Sequence, residues 1–330
     1  MESLSQPMRI AMLDVAAPQK QRLAVLLDFE HVFVEPRPDP SGAQPVDAVI
    51  ALRFGAPQSQ LFQPRLLHLP GAGDDAVDKS CLSPGSVICN VFEHETSLAE
   101  YVLAAMLEHA IGYGRLRQQF QADRWQQTYA ARNTHAELHG KTLGLIGYGH
   151  IGRAVADRAR PFGMKVHAIS NSGNAPGSHW CATPDKLDEL LENADYLVIA
   201  CPLTPATRGM IGERQLTAMK RSAVLINISR AQIVEEKPLY EALLRGRLAG
   251  ATLDVWYAYP TADNPHVPPA QCPFWELPNV HCTAHTSALT EELYERRYAV
   301  IAANLGRLRR GEPLSNVIFT KPQSVSAGSI

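Results

Sequence analysis

Short apolar runs recur along the first hundred residues, at 10–13, 22–27, 32–34, 49–52, 66–69 and 87–89, with polar stretches between them. Runs this short, without strict alternation, suit strands buried on both faces, and the stretches between them have helical or loop character. The pattern predicts a small parallel α/β domain with helices on both faces of its sheet. Glu35-Pro36-Arg37-Pro38-Asp39-Pro40 can continue neither a helix nor a central strand and reads as surface loop.

From 96 to 119, Leu98, Tyr101, Val102, Ala105, Met106 and Leu107 fall at helical spacing, which predicts one long helix that could join two domains. Strand-like runs then resume at 142–146, 165–169, 196–200, 223–226, 251–255 and 280–283. The fold class that follows is α/β, with two doubly wound parallel-sheet domains and a cleft between them. Residues 259–273 are rich in Pro and polar types and read as extended surface loop. A last helix covers 291–309, with Arg307, Arg309 and Arg310 at the end where the helix dipole favours cations. Gly306 weakens its last turn and marks a place where it could stop.

At 330 residues the chain is too long for one ordinary core and suits two domains of about 150 residues each. A net charge of -2 sets up no field that would call for nucleic acid or an anionic membrane. No run approaches the roughly 18 to 20 apolar residues of a membrane span, and the first residues lack the basic start and apolar core of a signal peptide. A cytoplasmic protein is expected. The six cysteines are far apart, form no C-x-x-C pair and have no zinc-ligand spacing, so they are read as reduced and no metal is expected.

The strand at 142–146 runs straight into Gly147-Tyr148-Gly149-His150-Ile151-Gly152, and a helical stretch and a second strand follow. Gly-x-Gly-x-x-Gly alone is a weak signal; in this strand-turn-helix context it predicts a dinucleotide site. Gly147 allows the tight turn, Gly149 the approach of a diphosphate and Gly152 close helix packing. The diphosphate would lie on helix N-terminal amides around His150, Ile151 and Gly152. An acidic residue at the end of the second strand would bind the ribose hydroxyls of NAD, but the chain has Ser170-Asn171-Ser172 there. These three can donate to a 2′-phosphate, although no arginine follows to neutralise it, so NADP is preferred over NAD.

Two residues at strand ends carry candidate chemistry. Arg230, in Asn227-Ile228-Ser229-Arg230, could clamp a carboxylate through two charge-assisted bonds, or sit in a surface ion pair. His285 follows the strand at 280–283 and can move a proton near neutral pH, or be structural.

Taken with Gly250-Ala251-Thr252-Leu253-Asp254-Val255-Trp256 and Leu277-Pro278-Asn279-Val280, these motifs resemble the NAD(P)-dependent D-isomer-specific 2-hydroxyacid dehydrogenases. That family includes formate and phosphoglycerate dehydrogenases. The resemblance covers nearly all the chain. It implies a flavodoxin-like substrate domain of residues 1–100 plus 291–330, a Rossmann coenzyme domain of 101–290, and a homodimer that uses the helix at about 97–120. It implies that the amides of Ala72, Gly73 and Asp74 face a substrate carboxylate. Pro202 would border the cofactor and Asp254 would lie near the nicotinamide carboxamide. The implied reaction moves a hydride between the nicotinamide and C2 of a small 2-keto or 2-hydroxy acid. Arg230 would hold the carboxylate, His285 would carry the proton and domain closure would exclude water.

The chain departs from the family at one informative place. Where most members have a glutamate that pairs with the histidine, and formate dehydrogenase a glutamine, counting forward from Arg230 arrives at Tyr259. A phenol can orient the imidazole but supplies no negative charge. Three readings stay open: Tyr259 orients a neutral His285 and the pH optimum falls; another carboxylate takes the glutamate's place; or the protein is a weak or inactive nucleotide-dependent binding protein. Ala231 and Ala284 replace a usual glycine and proline beside the two site residues. Formate oxidation is disfavoured by the missing glutamine.

Overall fold

The computed structural model describes residues 6–38, 42–261 and 264–323, and its contacts divide the chain into two compact units. The first comprises Met1–Glu93 and Thr290–Ile330, the second His94–Leu289. The passages between them therefore fall at 93–94 and 289–290.

In the first unit five of the six apolar runs become β1 (Met8–Met12), β2 (His31–Phe33), β3 (Gln44–Ile50), β4 (Phe62–His68) and β5 (Val87–Cys89), whereas 22–27 falls in helix Lys20–Leu26. These five are parallel in the order β5-β4-β3-β1-β2. A sixth strand, Val317–Thr320, pairs antiparallel with β5 and corrects the expectation of a purely parallel sheet. An antiparallel neighbour needs no crossover helix, so a short C-terminal segment can close this edge. The described part of the Pro-rich stretch, 35–38, is exposed loop, and 39–40 lie outside the described residues.

Helix Glu291–Arg310 packs Tyr298, Ile301 and Leu305 against Ile10, Leu23 and Ile50. The Thr290 hydroxyl caps its start by accepting from the Leu293 amide at 3.1 Å. The helix does not stop at Gly306, which is buried within it, but at Gly311, whose φ of 68° is left-handed. Under this helix, fully buried His68 meets the Asn304 amide nitrogen through Nε2 at 3.0 Å. Burial lowers the His68 pKa to about 4.

The second unit holds a seven-stranded parallel sheet: β6 (Thr142–Ile146), β7 (Lys165–Ile169), β8 (Trp180–Ala182), β9 (Tyr196–Ile199), β10 (Val224–Asn227), β11 (Gly250–Leu253) and β12 (Val280–Cys282). The order β12-β11-β10-β9-β6-β7-β8 reverses direction at β6, and in such sheets ligands bind beyond the carboxyl ends of the strands beside the reversal. β6, β9, β10 and β11 are buried along their whole length, which is why they read as continuous apolar runs.

The long helix expected over 96–119 is two helices, Glu95–Ile111 and Tyr113–Gln119, parted by left-handed Gly112 at φ 68°. The first buries Leu98, Val102 and Met106 in the core of its own unit. Those positions are therefore not interface. Beyond the break Phe120, Trp125 and Tyr129 stay more than half exposed and pack in series with tilted rings, their centroids 5.9 and 5.7 Å apart. Among the described residues no helix is long and apolar enough to cross a membrane.

Candidate active site

The glycine turn leaves β6 at the sheet reversal. Gly147 has φ 101°, and a Cβ there would meet the Ala200–Cys201 backbone at 2.8 Å. A Cβ on Gly152 would lie 2.2 Å from the Gly147 carbonyl oxygen. At Gly149 the same test finds open space. The first and third glycines are thus required by the chain's own packing, whereas the second leaves room over the backbone for a ligand. Helix His150–Ala159 starts directly after it, with the first-turn amides that an α-helix leaves without intrahelical acceptors. The turn therefore fits a dinucleotide diphosphate. His150 Nδ1 lies 3.6 Å from the Glu95 carboxylate, a pairing without a sequence signal because the partners are far apart along the chain.

Beyond β7, Ser170 and Ser172 are partly engaged by their own turn, since the Asn174 amide donates to both hydroxyls at 3.1 and 3.3 Å. Asn171 is exposed. Arg160 reaches this region, which sequence reasoning missed. Its Nε donates to the Gly177 carbonyl at 2.9 Å and an Nη to the Tyr148 hydroxyl at 3.1 Å. On the other side of β6, Pro202 sits in a loop held by Thr207 Oγ1, which donates to the Pro202 carbonyl at 2.8 Å, and by Ser229 Oγ, which donates to the Cys201 carbonyl.

Arg230, Tyr259 and His285 follow β10, β11 and β12, three adjacent strands, and the structure brings them together. The Tyr259 hydroxyl lies 2.8 Å from His285 Nδ1 and accepts the Trp256 amide at 3.0 Å. The phenol can donate to Nδ1 of a neutral ring or accept from an imidazolium; it cannot offset the imidazolium charge. Although accessible, His285 is crowded by protein atoms. This desolvation is the main cause that lowers its pKa; Arg230 lowers it further and Asp254 opposes both. Desolvation likewise raises the Tyr259 pKa, so the phenol stays neutral near pH 7. Among the described residues the group that meets Nδ1 is Tyr259.

Asp254 is fully buried and anchors the loop that carries the histidine. One carboxylate oxygen accepts from Thr283 Oγ1 at 2.5 Å and from the Thr286 amide at 2.8 Å, the other from the amide of Ser287 at 3.0 Å and from its hydroxyl. The charge is dispersed over four donors, a supported way to bury a carboxylate. These bonds hold a loop in which His285 takes φ 58°, a region costly for non-glycine residues. Tyr101 adds a hydrogen bond to Thr283 Oγ1 at 2.6 Å; its sequence signal was only that of an apolar helix face. Arg230 Nη1 donates to the Ser229 carbonyl at 2.9 Å, and Asn227 Nδ2 holds the Arg230 carbonyl at 3.0 Å. Ala231 is buried in the short helix Ala231–Ile233.

In the first unit, the loop after β4 carries Ala72, Gly73 and Asp74. Asn90 Nδ2 donates to the Ala72 carbonyl at 2.8 Å, and Lys79 pairs with the Asp74 carboxylate at 2.8 Å. Among the described residues the amides of Ala72, Gly73 and Asp74 meet no acceptor. Nor do the described residues include a group of three or more His, Cys, Asp or Glu side chains that could hold a metal. All six cysteines are free.

Comparison with known proteins agrees with this geometry. The family model described as "D-isomer specific 2-hydroxyacid dehydrogenase, NAD binding domain" matches residues 103–287. The D-3-phosphoglycerate dehydrogenase of Methanocaldococcus jannaschii is 33% identical over 258 residues, covering 77% of this chain and 47% of that protein. Glyoxylate/hydroxypyruvate reductase B of Pectobacterium carotovorum subsp. carotovorum is 35% identical over 225 residues, covering 67% and 68%. The chain spans about half the length of the first curated relatives that it matches. Two solved structures share the fold. A D-isomer specific 2-hydroxyacid dehydrogenase family protein from Aeromonas salmonicida subsp. salmonicida superposes with a TM-score of 0.76 at 24% identity, over 95% of this chain and 99% of that one. The NADPH-dependent glyoxylate/hydroxypyruvate reductase from Sinorhizobium meliloti, in complex with NADP and sulfate, gives 0.72 at 24% identity, over 95% and 98%. From the glycine turn to the histidine loop, the motifs, the strand order and these matches agree, and the chain belongs to the D-isomer specific 2-hydroxyacid dehydrogenase family.

Proposed function

We propose that this protein is an oxidoreductase that reduces a small 2-keto acid, of the glyoxylate or hydroxypyruvate kind, to the D-2-hydroxy acid, or runs the reverse reaction. The observation that carries this reading is the hydrogen bond between Tyr259 and His285, with the Arg230 charge acting on both side chains. A cation for the substrate carboxylate, a proton carrier and a group that orients it are what reduction of a keto acid demands of the protein. The relatives named glyoxylate/hydroxypyruvate reductase support the substrate class.

Bound nicotinamide supplies the hydride, or takes it in the oxidative direction. Arg230 binds the carboxylate and the reacting oxygen. His285 donates a proton to that oxygen during reduction and accepts one during oxidation. Tyr259 orients the ring through Nδ1, and Asp254 is a positioning residue that acts through the 283–287 loop. In the first unit the amides of Ala72, Gly73 and Asp74 provide further donors for the carboxylate. The turn 147–152 binds the diphosphate. NADP is preferred over NAD because β7 ends without a carboxylate and Ser170, Asn171 and Ser172 offer donors; Arg160, which pairs with Asp157 at 2.6 Å, reaches the Gly177 end of that loop. The setting is cytoplasmic, which the free cysteines support. The protein acts as a homodimer, which the exposed cluster Phe120, Trp125 and Tyr129 supports.

The test is an assay that crosses NADPH and NADH with glyoxylate, hydroxypyruvate and pyruvate over a range of pH. Turnover with at least one acid, faster with NADPH, is expected. Tight cofactor binding with no turnover on any acid would favour the second reading, a nucleotide-dependent binding protein, whose motivation is the uncharged partner of His285.

A further inference from the structure

Helices Glu213–Ala218 and Glu236–Leu244 of the second unit wall a cavity of about 560 Å³. The turns that lead into β10 and β11 complete it through Arg221, Arg245 and Arg247. It therefore lies where these strands begin, whereas Arg230 and Asp254 follow their other ends. A ligand here is neither the substrate nor the dinucleotide.

Four cations, Arg221, Lys237, Arg245 and Arg247, line the cavity against two carboxylates, Glu213 and Glu241. One carboxylate is already engaged, since Arg245 pairs with Glu241 at 3.2 Å. Arg247 is the built element. Its Nη2 donates to the carbonyls of Thr217 and Met219, the latter at 2.6 Å, which seats the guanidinium at the end of helix Glu213–Ala218. Its Nη1 is buried and has no hydrogen-bond partner among the described residues. A buried guanidinium nitrogen without an acceptor is costly, and native structures seldom leave one so. Arg247 lines the cavity, so an oxyanion bound there lies beside a guanidinium that still has one unpaired nitrogen.

We propose that this cavity binds the phosphoryl group of a small phosphate monoester. A doubly charged phosphoryl group matches the surplus of two cations, and its three oxygens suit the arginine fork together with point-charge contact from Lys237. The volume exceeds the needs of an inorganic ion and leaves room for a carbon skeleton against buried Leu216.

Calorimetric titration of the full chain, saturated with nicotinamide dinucleotide so that its phosphate sites are filled, tests this at constant ionic strength. The probes are glycerol 2-phosphate, inorganic phosphate and malonate. Saturable binding of glycerol 2-phosphate is expected, with malonate about tenfold weaker or worse. The double variant Arg221→Ala/Lys237→Ala, at two exposed positions where folding is not at stake, should weaken it about tenfold or more, and Arg230→Ala should leave it unchanged. No saturation, equal affinity for malonate, unchanged binding in the double variant, or loss of binding in Arg230→Ala would each overturn the proposal.

Discussion

At the scale of single residues, the site turns on what a phenol does where a carboxylate usually stands. Desolvation, opposed by Asp254 and helped by Arg230, holds the His285 pKa below its ordinary value of 6.5, and Tyr259 adds no charge of its own. Reduction uses the imidazolium form, so kcat/KM for a keto acid should fall as pH rises through a midpoint below 6.5. The Tyr259→Glu variant places a carboxylate at the same Nδ1. It should move that midpoint up by about one pH unit or more, and an unmoved profile would refute the orienting role. Arg230→Ala and His285→Ala should each lower kcat/KM by about 10²-fold or more while cofactor affinity is kept, as read by fluorescence titration; unchanged turnover in both would sink the assignments. Tyr259 was legible from the sequence by counting from Arg230. Glu95 beside His150, and Tyr101 beside Thr283, were not, because residues so distant along the chain meet only once the sheet has formed.

At the scale of elements, the glycine turn gives a test that separates folding from binding. Gly152→Ala puts a methyl group 2.2 Å from the Gly147 carbonyl, so it should lower both thermal stability and cofactor affinity. Gly149→Ala adds a methyl group in open space, so the melting temperature should hold while cofactor affinity falls. Equal melting temperatures in the two variants would contradict this reading of the turn. Two histidines are also desolvated, His68 at the end of β4 beneath helix Glu291–Arg310 and half-buried His109 on helix Glu95–Ile111 beside Thr252, each lowered by burial to about 4. The unfolded chain takes up these protons near 6.5 and the folded chain near 4. Stability is therefore full above about pH 6.5 and is lost as pH falls towards about 4, by about 3 kcal/mol per histidine at the lower limit. Urea unfolding at pH 7 and pH 5 checks the sign: the midpoint should drop at pH 5. Element reading from sequence did best with buried parallel strands. It missed β8 and the strand Val317–Thr320, which are short edge strands, and it ran through Gly112, whose left-handed φ ends one helix and begins another.

For the whole molecule, Leu98, Val102 and Met106 of the expected dimer helix face the core of their own unit, and the apolar surface exposed beyond its break includes Tyr113, Phe120, Trp125 and Tyr129. If that cluster is the contact between subunits, Trp125→Glu should shift sedimentation from dimer to monomer at micromolar concentration without loss of helix content. A variant that stays dimeric would place the interface elsewhere.

By itself the sequence determined the class of both sheets, the glycine turn after β6 and the choice of Arg230, Tyr259 and His285 as candidate site residues. Each is a local pattern, set by burial on both faces of a strand, by the steric freedom of glycine or by a motif of fixed spacing. Only the tertiary structure decided that Asp254 spends its four hydrogen bonds on the histidine loop, that the first sheet closes with an antiparallel edge, and that Arg247 is left with a buried nitrogen beside a basic cavity. These depend on which distant segments the strand order makes neighbours, and no window of the chain carries that information.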